Sequence, residues 1–133
     1  MYFYVIMPVG SDEHFAEKKR ILTNAAGYTV FKPSLPLNGE YCSDFDLDST
    51  IRILQDSEFV VADLSLERPS CYYELGLAQA LGKRTFLIAE MDTPLHQAYG
   101  RNSVRFYRDL GHYQRIISEI LSEALSLAVE ESV

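Results

Sequence analysis

Short apolar runs alternating with longer amphipathic stretches constrain this chain more than any other feature. Residues 2–7, YFYVIM, form a continuous run of aromatic and β-branched side chains. That is the pattern of a strand buried on both faces. Residues 12–27, DEHFAEKKRILTNAAG, follow as a helix, with Asp12 or Ser11 as its cap and Gly27 as its stop. The alternation then repeats. A strand is expected at 28–33, closed by Pro33, then a helix at 45–57 and a strand at 58–64. A helix at 71–82 ends at Gly82, with strands at 84–90 and 103–110 and a long helix at 111–132.

Strands that alternate with helices imply βαβ units, a parallel sheet and right-handed crossovers. The expected architecture is one α/β domain over residues 1–133. It is a flavodoxin-like doubly wound parallel sheet of order 2-1-3-4-5, with helices on both faces. Ligands of such sheets bind at the carboxyl ends of the strands, beside the switch point between the first and third. MPVGSD, ADLSLERPS and AEMDTP would supply those ends.

A formal net charge of -7 repels a polyphosphate backbone, so long nucleic acid is not the expected partner. A small anion can still sit at a helix N-terminus. Cys42 and Cys71 have neither metal-ligand spacing nor a CxxC arrangement, which fits free thiols in a reducing cytoplasm. His14, His96 and His112 are scattered, so no metal site is expected. There is no GxGxxG, Walker loop or GxSxG, and no cofactor is expected. MYFYVIM lacks the parts of a signal peptide, and no run of about 18 apolar residues exists to span a membrane. Lys18, Lys19 and Arg20 read as a solvated basic helix face. The last helix is apolar on more than one side. Ile116, Ile120, Ala124 and Leu127 can cover the sheet, and Ile117, Leu121, Leu125 and Val129 are surplus, which points to a homo-oligomer.

Glu74 is the residue out of place. It shares a helical face with Cys71, Leu77, Ala78 and Leu81, so it falls in the first turn of an inward stripe rather than on the solvent side. A carboxylate there needs a partner or a cavity. Asp63 ends the third apolar run and is either a cap for the next turn or a ligand contact. Asp63 and Glu74 together would place two carboxylates around one crevice, an arrangement suited to sugar chemistry. Tyr4, in the middle of the first strand, can pack in the core or orient a buried carboxylate. Gly10 and Ser11 form a turn before a helix, able to hold a phosphate or merely to cap.

The block VVADLSLERPSCYYELGLAQALGKRTFLIAE resembles the nucleoside 2-deoxyribosyltransferase superfamily and the neighbouring TIR-like nucleotide-binding proteins. YVIMPVGSDEHFAEKKRIL resembles their first strand and phosphate-side turn, so the resemblance covers roughly residues 2–90. It implies a nucleoside 2-deoxyribosyltransferase-like domain that cleaves or transfers at the N-glycosidic bond of a nucleoside or nucleotide. By resemblance Glu74 is the nucleophile, Asp63 contacts nucleoside and leaving base, and Tyr4 orients the nucleophile. Met7, Pro8, Gly10 and Ser11 fall on the substrate-side turn. Two departures stand out. Met7-Pro8 replaces Gly-Pro, where a bulkier side chain would narrow the crevice. LERPSC also lacks the further aspartate that transferases carry before the helix. The TIR-like branch implies NAD cleavage or a non-catalytic nucleotide sensor, often in antiphage systems.

Overall fold

The computed structural model describes residues 1–10, 12–36, 46–96 and 101–131. Five parallel strands form one sheet of order β2-β1-β3-β4-β5. The strands are β1 (Tyr2–Ile6), β2 (Lys32–Ser34), β3 (Ser57–Asp63), β4 (Thr85–Glu90) and β5 (Arg105–Tyr107). The helices are α1 (Phe15–Ala26), α2 (Leu47–Asp56), α3 (Pro69–Ala80) and α4 (Leu110–Glu131). The architecture is flavodoxin-like α/β, with strands 1 and 3 adjacent at the centre.

Because successive side chains of a strand point to opposite faces, the sheet divides the core in two. Phe3, Val5 and Met7 of the first strand and its exit join Phe59 and Val61 against Leu22 of α1 and Ile116 and Ile120 of α4. Ile6, Val60 and Ala62 join Leu54 of α2 and Cys71, Leu75 and Ala78 of α3. In register, Tyr4 lies beside Val60 and Ile6 beside Ala62. Tyr4 therefore belongs to the α2/α3 face.

Several boundaries differ from the expectation. The second strand starts at Lys32 and contains Pro33, which sits on an edge strand where its missing N–H costs little. The third helix begins at Pro69 rather than Cys71, since proline is well suited to the first helical position. Ile117 and Leu121 are 1% and 2% exposed and belong to the core. Only Leu125 and Val129, at 44% and 57%, remain of the apolar surplus on α4. Among the described residues no helix is long and apolar enough to cross a membrane.

Candidate functional site

Tyr4 and Glu74 meet. The Tyr4 hydroxyl donates to Glu74 Oε2 at 3.0 Å, joining β1 to α3 across 70 residues of chain. The pairing follows from periodicity. Cys71, Leu75 and Ala78 form the innermost line of α3, and Glu74, three residues from Cys71, flanks it on the side of the first strand. Glu74 is half-buried. It is the sixth residue of α3 and not in its first turn, because the helix starts at Pro69. The helix dipole fades within the first turn, so it is not what holds this charge. Burial pushes the Glu74 carboxyl above its ordinary range, and the Tyr4 bond pulls it partway back. Burial and the neighbouring carboxylate hold the Tyr4 phenol well above its usual range, so it stays a donor. The Cys71 thiol is pushed up to about 12 by burial and by Glu74, which leaves it neutral beside the pair.

Asp63 belongs to a different centre. It is 1% exposed and its contacts are with the α1/α4 side. Tyr107 donates to its Oδ2 at 2.7 Å, and Lys18 Nζ lies 3.8 Å from the same oxygen. Oδ1 accepts from the Ser65 backbone N–H at 3.0 Å, so Asp63 also caps the turn that follows it. The expectation that Asp63 and Glu74 flank one crevice is corrected by sheet parity: they lie on opposite faces. Burial raises the Asp63 pKa, with Lys18, Ser65 and Tyr107 opposing.

Lys18 is the second correction. It is not solvated but 0% exposed. Its Nζ bonds Asp12 Oδ2 at 2.6 Å and Glu90 Oε1 at 3.3 Å, and it lies 5.1 Å from the centre of the Tyr107 ring. Burial lowers the Lys18 pKa, but Asp63, Asp12 and Glu90 together outweigh burial and raise it. An amine that three carboxylates hold above its ordinary pKa is a structural cation and not a nucleophile. Helical phase carried the signal: Lys18, Leu22 and Ala26 recur at i, i+4 and i+8 and are the buried residues of α1. Ser65 and Tyr107 complete the network, with Ser65 Oγ accepting from the Glu90 backbone N–H at 2.7 Å and lying 3.1 Å from the Tyr107 hydroxyl.

A cleft of about 890 Å³ opens above this network, between the start of α1 and the start of α4. Its walls carry Glu13, Glu90, Asp92 and Asp109 against Arg108 and the saturated Lys18. That balance disfavours a phosphate. Glu74 does not line it.

Met7 is 4% exposed and packs on the α1/α4 side, so it does not narrow the approach to Glu74 as expected. Pro8 is buried, and Gly10 is exposed with a φ of 82°, a left-handed conformation that favours glycine. Ser11 lies outside the described residues, as does Cys42. Among the described residues no group of three or more His, Cys, Asp or Glu could hold a metal ion.

The fold and these contacts define a flavodoxin-like α/β protein with a tyrosine-oriented glutamate on one face of its sheet and a buried lysine–carboxylate network on the other. No protein-family model matches the chain, and no curated protein matches it.

Proposed function

We propose that the chain cleaves or transfers at the N-glycosidic bond of a nucleoside or nucleotide, with Glu74 as nucleophile. The observation that carries this reading is the 3.0 Å bond from Tyr4 to Glu74 Oε2. It fixes one carboxylate oxygen and leaves Oε1 to attack. Burial makes the carboxylate more basic than usual, and the Tyr4 bond offsets part of that rise. The resemblance of the surrounding block to the deoxyribosyltransferase-like and TIR-like proteins supports the same role.

In the proposed reaction Glu74 Oε1 bonds to the anomeric carbon as the carbon–nitrogen bond breaks. The electron pair leaves on the base, which takes a proton. Water then attacks the anomeric carbon, the ester bond breaks, its pair returns to Glu74, and the water's proton is released. A second base in place of water gives transfer. NAD cleavage makes and breaks the same bonds, except that nicotinamide departs from a cationic pyridinium, leaves neutral and takes no proton. We place the activity in a cytoplasmic homo-oligomer built on the exposed Leu125 and Val129 of α4.

The test is to incubate the protein with nucleosides, deoxynucleosides, nucleoside monophosphates and NAD, and to follow free base by chromatography. Release that is lost in Glu74→Ala supports the reading. Release that survives in Glu74→Ala refutes it. A compound that raises the melting temperature without being cleaved assigns a binding module instead.

A further inference from the structure

Backbone strain and a crowded carboxylate coincide where the chain leaves β3. The 3-10 turn Ser65–Glu67 holds two consecutive non-glycine residues in the left-handed region, Leu66 at φ 67° and Glu67 at φ 45°. Side chains with a Cβ avoid that region unless their surroundings impose it. Burial does not impose it here, because Leu66 is 50% exposed.

The strained pair carries the Glu67 side chain into three contacts. Its Oε1 accepts from the Tyr72 hydroxyl at 2.8 Å and from the His96 backbone N–H at 2.7 Å. Its Oε2 lies 2.6 Å from His96 Nδ1. Tyr72 is in α3, two residues before Glu74, and His96 is in the segment that leaves β4. Leu95, next to His96, packs with Tyr72 and Tyr4 on the α2/α3 core. One carboxylate therefore ties together the exit of β3, the first turn of α3 and the exit of β4, all on the Glu74 side of the sheet. Burial pushes the Glu67 carboxyl up, yet the bonds from Tyr72 and His96 together bring it below its ordinary range.

We infer that Glu67 is a positioning residue for the Glu74 site, a clamp that fixes the exits of β3 and β4 against α3 before ligand arrives. The inference rests on the reading of Glu74 as nucleophile. With three contacts on its two oxygens, Glu67 has little capacity left to touch substrate itself. A preset backbone around the site favours bound substrate and transition state alike, so its loss raises KM and spares kcat.

The experiment compares Glu67→Ala with Glu67→Gln, whose side-chain oxygen can still accept from Tyr72 and from the His96 amide. Two quantities are measured: hydrogen exchange of the His96 amide, and KM and kcat for whichever compound the wild type cleaves. In Glu67→Ala, exchange at His96 is expected to quicken about tenfold or more, the worth of one charge-assisted hydrogen bond. KM is expected to rise about tenfold with kcat within about threefold, while Glu67→Gln stays near wild type in both. If Glu67→Ala does not fold, Tyr72→Phe removes one of the three bonds and is read in the same way. Unchanged exchange at His96, or a fall in kcat at constant KM, overturns the clamp. Absence of base release by the wild type would sink the nucleophile reading instead, and the exchange measurement would still decide the clamp.

Discussion

Replacing Lys18 with methionine removes the one charge among the described residues that balances Asp12, Asp63 and Glu90 at close range. Breaking a buried ion pair by removing one partner costs about 3–5 kcal/mol. The structure sets a ceiling and a pH dependence on that loss. At an effective dielectric of about 20, a unit pair at the Lys18–Asp63 distance is worth about 4 kcal/mol. Asp63 can avoid the penalty by taking a proton, which at pH 7 costs about 4 kcal/mol against an ordinary aspartate pKa of about 3.9, and at pH 5 only about 1.5. Burial already raises the Asp63 pKa in the intact protein, so part of this cost is present before mutation. The sign follows from that raised value. Between the unfolded and folded pKa of Asp63 the native state holds the extra proton, so stability falls as pH rises through that window. Without Lys18 the folded pKa climbs further and the window widens. Lys18→Met is therefore expected to lose about 3 kcal/mol at pH 7 and about 1 kcal/mol at pH 5. Urea unfolding followed by far-UV circular dichroism at both pH values measures it. A loss below about 1 kcal/mol at pH 7, or a larger loss at pH 5 than at pH 7, would refute the buried-cation account.

Tyr4→Phe removes the bond that lowers the Glu74 pKa, so the acid limb of the base-release profile is expected to move to higher pH and kcat to fall about 10- to 100-fold; an unmoved limb argues against the pairing. Asp63→Asn keeps an acceptor for Tyr107 and leaves Lys18 two carboxylates, so it is expected to cost no more than about 2 kcal/mol in urea unfolding. Release per folded molecule should stay within about threefold of wild type, and a hundredfold fall would place Asp63 in the chemistry. Gly76→Ala is expected to raise stability by about 0.5–1 kcal/mol in thermal melts, because nothing lies within 4 Å of an added Cβ in mid-helix.

The sheet order was legible because β1, β3 and β4 are compact apolar runs that alternate with helical stretches. The inward placement of Glu74 was legible from helical phase, and Tyr4 beside it was reachable through resemblance. Lys19 and Arg20 make Lys18 look like part of a surface cluster, although its spacing to Leu22 and Ala26 marks the buried stripe. Phase outranks local composition in a helix whose neighbours are packed on one side. The Glu67 clamp was not legible at all. Its partners Tyr72 and His96 come from two different elements, and nothing in LERPS announces two left-handed residues in a row.

The ends of their elements put Asp63 and Glu74 near one another, but end position says nothing of face. Face depends on register, which the sequence does not display. Tyr4 pairs with Val60, so Val60 and every second residue after it look toward α2 and α3. Asp63, three residues on, looks the other way and finds Lys18. The two polar centres thus face opposite sides of the sheet, and Asp63 is already engaged by Tyr107, Ser65 and Lys18. In the proposed reaction the leaving base therefore does not draw its proton from Asp63. That proton must come from water or from a group on the α2/α3 face, which makes the acid partner of Glu74, and not its orientation, the part of the proposed mechanism that a substrate complex has to supply.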